Sequence, residues 1–146
     1  MPKGANHHVH TTAANPIEAY LKLTYDHRVY FNKRESLFKV YPQKNPEIDD
    51  GYIQCTTLRA FYDSPETYDD LVRNEILLTE EEANYGSSHE IWVPFQHKFS
   101  KVGELGKFVP FFKELLKSAL MSHVKQNVYV VEYRHISGML FDDNKK

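Results

Sequence analysis

The fold is decided by FVPFFKELLKSALMSHVKQNVYVVEYR, residues 108–134. Its first part repeats apolar residues at intervals of three and four, which predicts a helix from about Lys107 to Lys125 with one apolar stripe. A short polar break follows. The β-branched and aromatic run Val128–Arg134 then predicts a strand that is buried on both faces. A helix that leads directly into such a strand is half of a βαβ unit.

Other parts of the chain carry weaker structural signals. The pair Asn15-Pro16 predicts an N-cap followed by a first helical turn, and Ser64-Pro65 predicts a second helix that runs through about Asn74. A third helix is expected from Ser88. Prolines and acidic residues between positions 34 and 51 indicate loops. The stretch 52–57 is the only other plausible strand.

The composition limits the classes of function. The 146 residues carry a net charge of -2 and 41% hydrophobic residues, which is typical of one globular domain. We expect no nucleic-acid partner, because the chain is not a polycation, and no membrane partner, because no apolar run approaches about 20 residues. No secretory signal is evident either. The single cysteine, Cys55, excludes an internal disulfide and is read as an inert thiol.

Histidines are the most promising functional residues, since the chain has 8 of them. They begin with PKGANHHVH, residues 2–10, in which His8 and His10 flank Val9. On an extended strand the two imidazoles point to the same face, about 6.5–7 Å apart along the backbone. Both can then reach one zinc ion at about 2.0–2.1 Å. An exposed histidine cluster or the remnant of an affinity tag is the competing explanation. His123 is expected at the surface of the long helix.

These motifs resemble the metal-dependent adenosine deaminases, and in particular their adenosine deaminase-related growth factor branch. The sequence PKG shortly before His-x-His resembles the first barrel strand of that family. A helix with Phe95 four residues before Phe99, then a long helix, then a strand ending in Glu132-x-Arg134, follows in the same order. The resemblance covers both ends of the chain and matches the middle poorly.

The resemblance implies a partial (β/α)₈ barrel with its site at the C-terminal ends of the strands. The chain would supply the first two strands, the helices between them and a family-type insertion at about residues 36–86. It further implies that His8 and His10 bind zinc, which activates water for the hydrolytic deamination of adenosine to inosine. Phe95 and Phe99 match an aromatic gate beside the purine, with Trp92 one turn before them. The alternative for these three rings is an ordinary helix core.

The sequence also departs from the family pattern. His7 stands where a leucine is usual, and Thr11 and Thr12 stand where an aspartate commonly holds the sugar. A hydroxyl can bond a ribose, but without charge assistance. The branch's disulfide cannot form with Cys55 alone. The later zinc ligands and the catalytic glutamate have no counterpart, so no residue is nominated as general acid or base. Glu132 and Arg134 are expected to form a structural pair.

Three functional hypotheses follow. The chain is the N-terminal part of an adenosine deaminase-like aminohydrolase that is incomplete by itself and binds zinc weakly. Alternatively, it is a catalytically inactive relative that serves as a binding or structural module in an assembly. A third hypothesis is an unrelated small α/β protein, for which the expected sheet is thin. The first two predict an exposed apolar patch on the strand 128–133 or on the long helix, for another protein chain to cover. The sequence indicates no compartment, although relatives in the growth factor branch are often secreted.

Overall fold

The computed structural model describes residues 1, 3–43, 46–84, 87–135 and 138–144. Pro2 of the N-terminal motif and residues 44–45 and 85–86 of the expected insertion lie outside these ranges. The strands are β1 (Asn6–His10), β2 (Val29–Asn32), β3 (Leu37–Val40), β4 (Tyr52–Gln54) and β5 (Val131–Arg134). The helices are α1 (Ile17–Leu23), α2 (Cys55–Ala60), α3 (Pro65–Ile76), α4 (Glu80–Ala83), α5 (Ser88–Val102) and α6 (Val109–Lys125). The architecture is mixed α/β, as predicted, and within these ranges the strands form two small sheets rather than a closed barrel.

Strands β1 and β5 are parallel neighbours in a two-stranded sheet. His10 lies opposite Arg134, and an isolated bridge between Lys3 and Val128 continues the pairing toward the start of the chain. Helix α6 leads directly into β5. The helix-to-parallel-strand connection predicted from the sequence is therefore present.

The other sheet is antiparallel and has the order β3-β2-β4. The prediction of loops between residues 34 and 51 was wrong in part, because β3 lies there, and β2 was not predicted at all. The predicted strand 52–57 is divided, since β4 ends at Gln54 and α2 begins at Cys55. The hypothesis of an unrelated small α/β protein was weakened by the thin sheet expected from the sequence, and this three-stranded sheet removes that objection.

The predicted helix starts are close to those observed. Ser64 caps α3 by accepting a hydrogen bond from a backbone N–H, and Ser87 does the same for α5, one residue before the predicted start. Asn15 does not cap α1, because Pro16 occupies the N-cap position and the Asn15 amide instead donates to the carbonyl of Thr11. Helix α6 has the predicted length to within two residues.

One connected apolar core joins the antiparallel sheet to the helices. Phe108, at the start of α6, is fully buried between Phe111 and Phe141, with ring centroids 4.9 and 5.4 Å away. Cys55 is also fully buried, and burial raises the pKa of its thiol to about 11. A thiol in that state is a poor nucleophile, which agrees with the inert role predicted for it. Further fully buried side chains are Val29, Val40, Tyr68, Val72, Leu105 and Leu115.

A buried ion pair ties three elements of this core together. Arg59 of α2 donates two hydrogen bonds to Asp69 of α3, at 2.9 and 2.7 Å. Its guanidinium also donates to the carbonyl and hydroxyl of Thr24, after α1. Tyr25 donates to the second carboxylate oxygen of Asp69 at 2.6 Å, and its ring lies 3.7 Å from the guanidinium carbon. The network satisfies both buried charges.

Strand β5 is not buried on both faces, contrary to the prediction. It begins at Val131 rather than Val128, and Glu132 and Arg134 are exposed. Tyr129 and Val130, just before it, are 76% and 53% exposed. Burial on both faces would require neighbouring elements on the outer side, and the described residues place none there.

The predicted apolar patch on the strand and the long helix is confirmed. Its members in α6 are Leu120, Met121 and Val124, which are 45%, 48% and 63% exposed. Leu120 and Val124 are one helical turn apart, and apolar side chains grouped on a surface are typical of an interaction site. No helix in the described part of the chain is both long enough and apolar enough to cross a bilayer.

Candidate metal and ligand site

His8 and His10 lie on the same side of β1, as alternate strand residues must. Their Nε2 atoms are 3.2 Å apart, and their ring centroids are 5.1 Å apart. Both side chains are exposed, while Val9 between them is half-buried on the opposite side. Two imidazoles that bind one tetrahedral zinc ion at about 2.0–2.1 Å place their nitrogens about 3.3–3.4 Å apart. The observed separation matches this value.

Charged side chains from β5 support β1 at this edge. His7 Nδ1 lies 2.9 Å from Glu132 Oε1, and the other Glu132 oxygen accepts from Arg134 at 3.3 Å. These contacts, with His7 the larger, lower the pKa of Glu132 below its usual value. Glu132 and Arg134 do form a pair, but both are about half exposed, whereas a pair buried inside the barrel was expected. Arg134 Nη2 also donates to the His7 carbonyl at 2.9 Å.

A cavity of about 490 Å³ opens beside His10 at the C-terminal ends of β1 and β5. Phe95 and Phe99 from α5 form an aromatic wall, with ring centroids 4.9 Å apart and nearly perpendicular planes. Trp92 packs on Phe95 at 5.4 Å but does not line the cavity, and its side chain is half exposed. Two of the three predicted substrate-contact residues therefore reach the cavity wall, and Trp92 stands behind them.

The turn after β1 forms the floor of the cavity. Thr11 is buried and donates its hydroxyl to the Arg134 carbonyl at 3.0 Å. Tyr20 donates to the Thr12 carbonyl at 2.6 Å. Gly106 lies so close that a Cβ added to it would be 2.6 Å from Thr12 Cγ2. The floor therefore depends on a residue without a side chain at position 106.

We expect Gly106→Ala to lower the free energy of unfolding by about 1–3 kcal/mol, because the added methyl group overlaps Thr12. The double variant Gly106→Ala/Thr12→Ser lacks the Cγ2 atom and should recover most of the loss. Gly4→Ala is a matched control, since a Cβ added to Gly4 would meet no atom within 4 Å. Denaturant unfolding would measure all three. An unchanged midpoint in Gly106→Ala would contradict the close approach.

Sequence reasoning missed several residues of this cavity. Lys98 is buried in its wall and bonds the Asn74 carbonyl and Glu82 Oε2 at 3.1 and 2.9 Å. Lys107 also lines it. Their order in the sequence carries no motif, because they come from separate elements that only the fold brings together.

His123 was predicted at the helix surface, and this was wrong. It is buried, its Nδ1 lies 2.8 Å from the Ala119 carbonyl, and Tyr133 Oη lies 3.2 Å from the same nitrogen. Tyr133 of β5 folds over this side of α6 and covers the imidazole. The helical pattern alone could not reveal this, since the covering residue comes from the following strand.

The described residues contain no cluster of three or more histidine, cysteine or acidic side chains able to hold a metal ion. His8 and His10 thus form a two-nitrogen donor set, which suits zinc in chemistry but falls short of the three protein ligands of a catalytic zinc site. No protein-family model matches this sequence, and no curated protein is significantly similar to it. The case for function therefore rests on the geometry of the chain and on the motifs quoted above.

Proposed function

We propose that the chain is the N-terminal part of an adenosine deaminase-like aminohydrolase. In this proposal β1 and β5 are the first two strands of a (β/α)₈ barrel, and residues outside these 146 supply the remaining ligands and the general acid and base. The parallel pairing of β1 with β5 supports the proposal, because a barrel of this type is built from parallel neighbours. The antiparallel sheet would then belong largely to the insertion at about residues 36–86.

The observation that carries the proposal is the 3.2 Å separation of the His8 and His10 Nε2 atoms. The two nitrogens hydrogen-bond each other and already have the spacing of two zinc ligands, so zinc would replace that hydrogen bond with little movement of the rings. Zinc bound there would lower the pKa of a coordinated water and so supply a nucleophile at neutral pH. His7 and Glu132 join β1 to β5 beside the two imidazoles through an exposed contact of 2.9 Å.

In the same proposal the cavity beside His10 receives the purine of adenosine. Phe95 and Phe99 offer ring faces and edges against which a planar base can stack. Thr12 at the floor offers a hydroxyl to the sugar. Trp92 contributes by holding Phe95 in place rather than by direct contact.

We expect the 146 residues to bind zinc weakly by themselves, and the complete enzyme that the proposal implies to convert adenosine to inosine; His8→Ala/His10→Ala should lose both zinc binding and conversion. Outer partners of a metal ligand already contribute about 10–100-fold to metal affinity, so the loss of two ligands should exceed that range. The matched control is His89→Ala/His97→Ala, which removes two exposed histidines of α5. Zinc titration followed by an assay for inosine would measure both effects. Zinc affinity that is equal in the two double variants would refute the assignment of the ligands.

The second candidate is an inactive relative that acts as a binding module. The exposed apolar patch formed by Leu120, Met121, Val124, Tyr129 and Val130 favours it. The same assay separates the two candidates when the protein tested includes the residues that complete the barrel. Zinc binding that depends on His8 and His10 without any inosine would favour the binding module, whereas histidine-dependent inosine formation would favour the aminohydrolase.

A further inference from the structure

The cavity beside His10 has a charge pattern that a neutral ligand does not explain. Its described lining includes the cations Lys98, Lys107 and Arg134 and contains no aspartate or glutamate. Glu82 neutralises Lys98 at 2.9 Å. Lys107 has no carboxylate partner in the described part of the chain. Glu132 pairs with Arg134 at 3.3 Å, so the charge left uncompensated beside the aromatic wall is that of Lys107.

Lys107 and Arg134 border the same turn. The backbone oxygen of Arg134 accepts from the Thr11 hydroxyl, which places the start of that turn against β5. Gly106 touches Thr12 at the other side of the turn, and Lys107 follows it directly. The contacts of Arg134 to described residues use Nη2 only, so its Nε and Nη1 donors can bind a ligand. Two cationic side chains thus flank one floor.

The wall also holds a polar atom without a partner. Asn15 Oδ1 is buried and accepts no hydrogen bond from the described residues, while Asn15 Nδ2 donates to the Thr11 carbonyl. A buried acceptor of this kind is normally satisfied by a donor. Because this oxygen is itself covered, the groups that the cavity offers to a ligand are its aromatic rings, for a planar group, and its cations, for an anion.

We infer that this cavity binds a nucleoside monophosphate in preference to the neutral nucleoside. The phosphate lies between Lys107 and Arg134, and the base lies against Phe95 and Phe99. The position of the purine rests on the proposed function, whereas the position of the phosphate does not. Arginine and lysine are the side chains best suited to phosphate, by bidentate bonds and by point charge respectively.

The test is a binding titration with adenosine monophosphate, adenosine and inorganic phosphate, measured by calorimetry and by the fluorescence of the single tryptophan, Trp92. We expect the monophosphate to bind at least about tenfold more tightly than adenosine, because hydrogen bonds to charged groups are the stronger ones. The preference should decrease as salt is added. Lys107→Met should remove most of it and leave adenosine binding intact. Lys113→Met, an exposed lysine on α6, is the matched control and should change nothing.

Each other result has one meaning. Equal affinity for adenosine and its monophosphate overturns this inference and leaves the proposed function standing. A preference that survives in Lys107→Met overturns it too, as does phosphate alone binding as tightly as the nucleotide. If neither purine binds, the purine site of the proposed function fails with it.

Discussion

Asp69→Ala should lower the free energy of unfolding by about 3–5 kcal/mol, the cost typical of leaving a buried charge unpaired. The side chains of Arg59 and Asp69 are only 7% and 11% exposed. Without the carboxylate, the Arg59 guanidinium keeps its bonds to Thr24 but loses both bonds to Asp69, and Tyr25 loses its acceptor. Since domains of this size are stable by about 5–15 kcal/mol, the variant should lie near the limit of folding. Chemical denaturation followed by circular dichroism would measure the loss.

The neighbouring Asp70→Ala is the control. Asp70 lies on the same helix and pairs with Arg73 at 2.8 Å, but its side chain is 72% exposed, so its loss should cost less than about 1 kcal/mol. If Asp69→Ala does not fold, the double variant Arg59→Met/Asp69→Ala should recover part of the stability, because no unpaired charge remains. Equal losses at positions 69 and 70 would contradict the role given to the buried pair.

Phe108→Ala should cost about 3–5 kcal/mol, as is usual for a large aromatic side chain removed from a packed interior. Its ring contacts Phe111 and Phe141 and lies 5.0 Å from the Arg28 guanidinium carbon. Its backbone also forms a parallel bridge with Phe141. The substitution therefore leaves a cavity where α6 begins and where the C-terminal segment meets it. Thermal unfolding would show a markedly lower Tm.

The same substitution at an exposed site provides the comparison. Phe61 is 79% exposed, so Phe61→Ala should change the free energy of unfolding by about 0.5 kcal/mol or less. The two variants remove identical atoms and differ only in burial. Similar Tm values for both would show that Phe108 is not part of the core.

Local signals account for what could be predicted of the fold. The apolar stripe of α6 and the serine-proline start of α3 are properties of consecutive residues, and both helices were found. Strands β2 and β3 have the sequences VYFN and LFKV, in which three of four residues are apolar or aromatic, so neither alternates polar and apolar residues. The turn between them contains Ser36 with φ 56°, and a glycine or asparagine at this position would have predicted the turn. The sequence therefore carried no hairpin signal at this point.

In the candidate site and in the buried ion pair, too, local features could be predicted and long-range contacts could not. The placement of His8 and His10 on one face follows from strand geometry, because alternate residues of a strand share a face. The buried position of Arg59 depends on Asp69, Thr24 and Tyr25 together, and charged residues are ordinarily expected at the surface. Gly106 lies against Thr12 in the turn after β1, and Lys107, the next residue, thereby lines the cavity. Long-range contacts of this kind leave no periodicity to detect.

The parallel pairing of β1 with β5 also determines when this sheet forms during folding. The hydrogen bond from Thr11 to Arg134 joins residues 123 positions apart. During synthesis at about 5–20 residues per second, the strand that carries His8 and His10 waits on the order of ten seconds for its partner. Closing so long a loop is also slow in refolding, because the chain entropy is lost before the contacts form. The histidine pair therefore takes up its final geometry late, after the antiparallel sheet and the buried ion pair have had time to assemble.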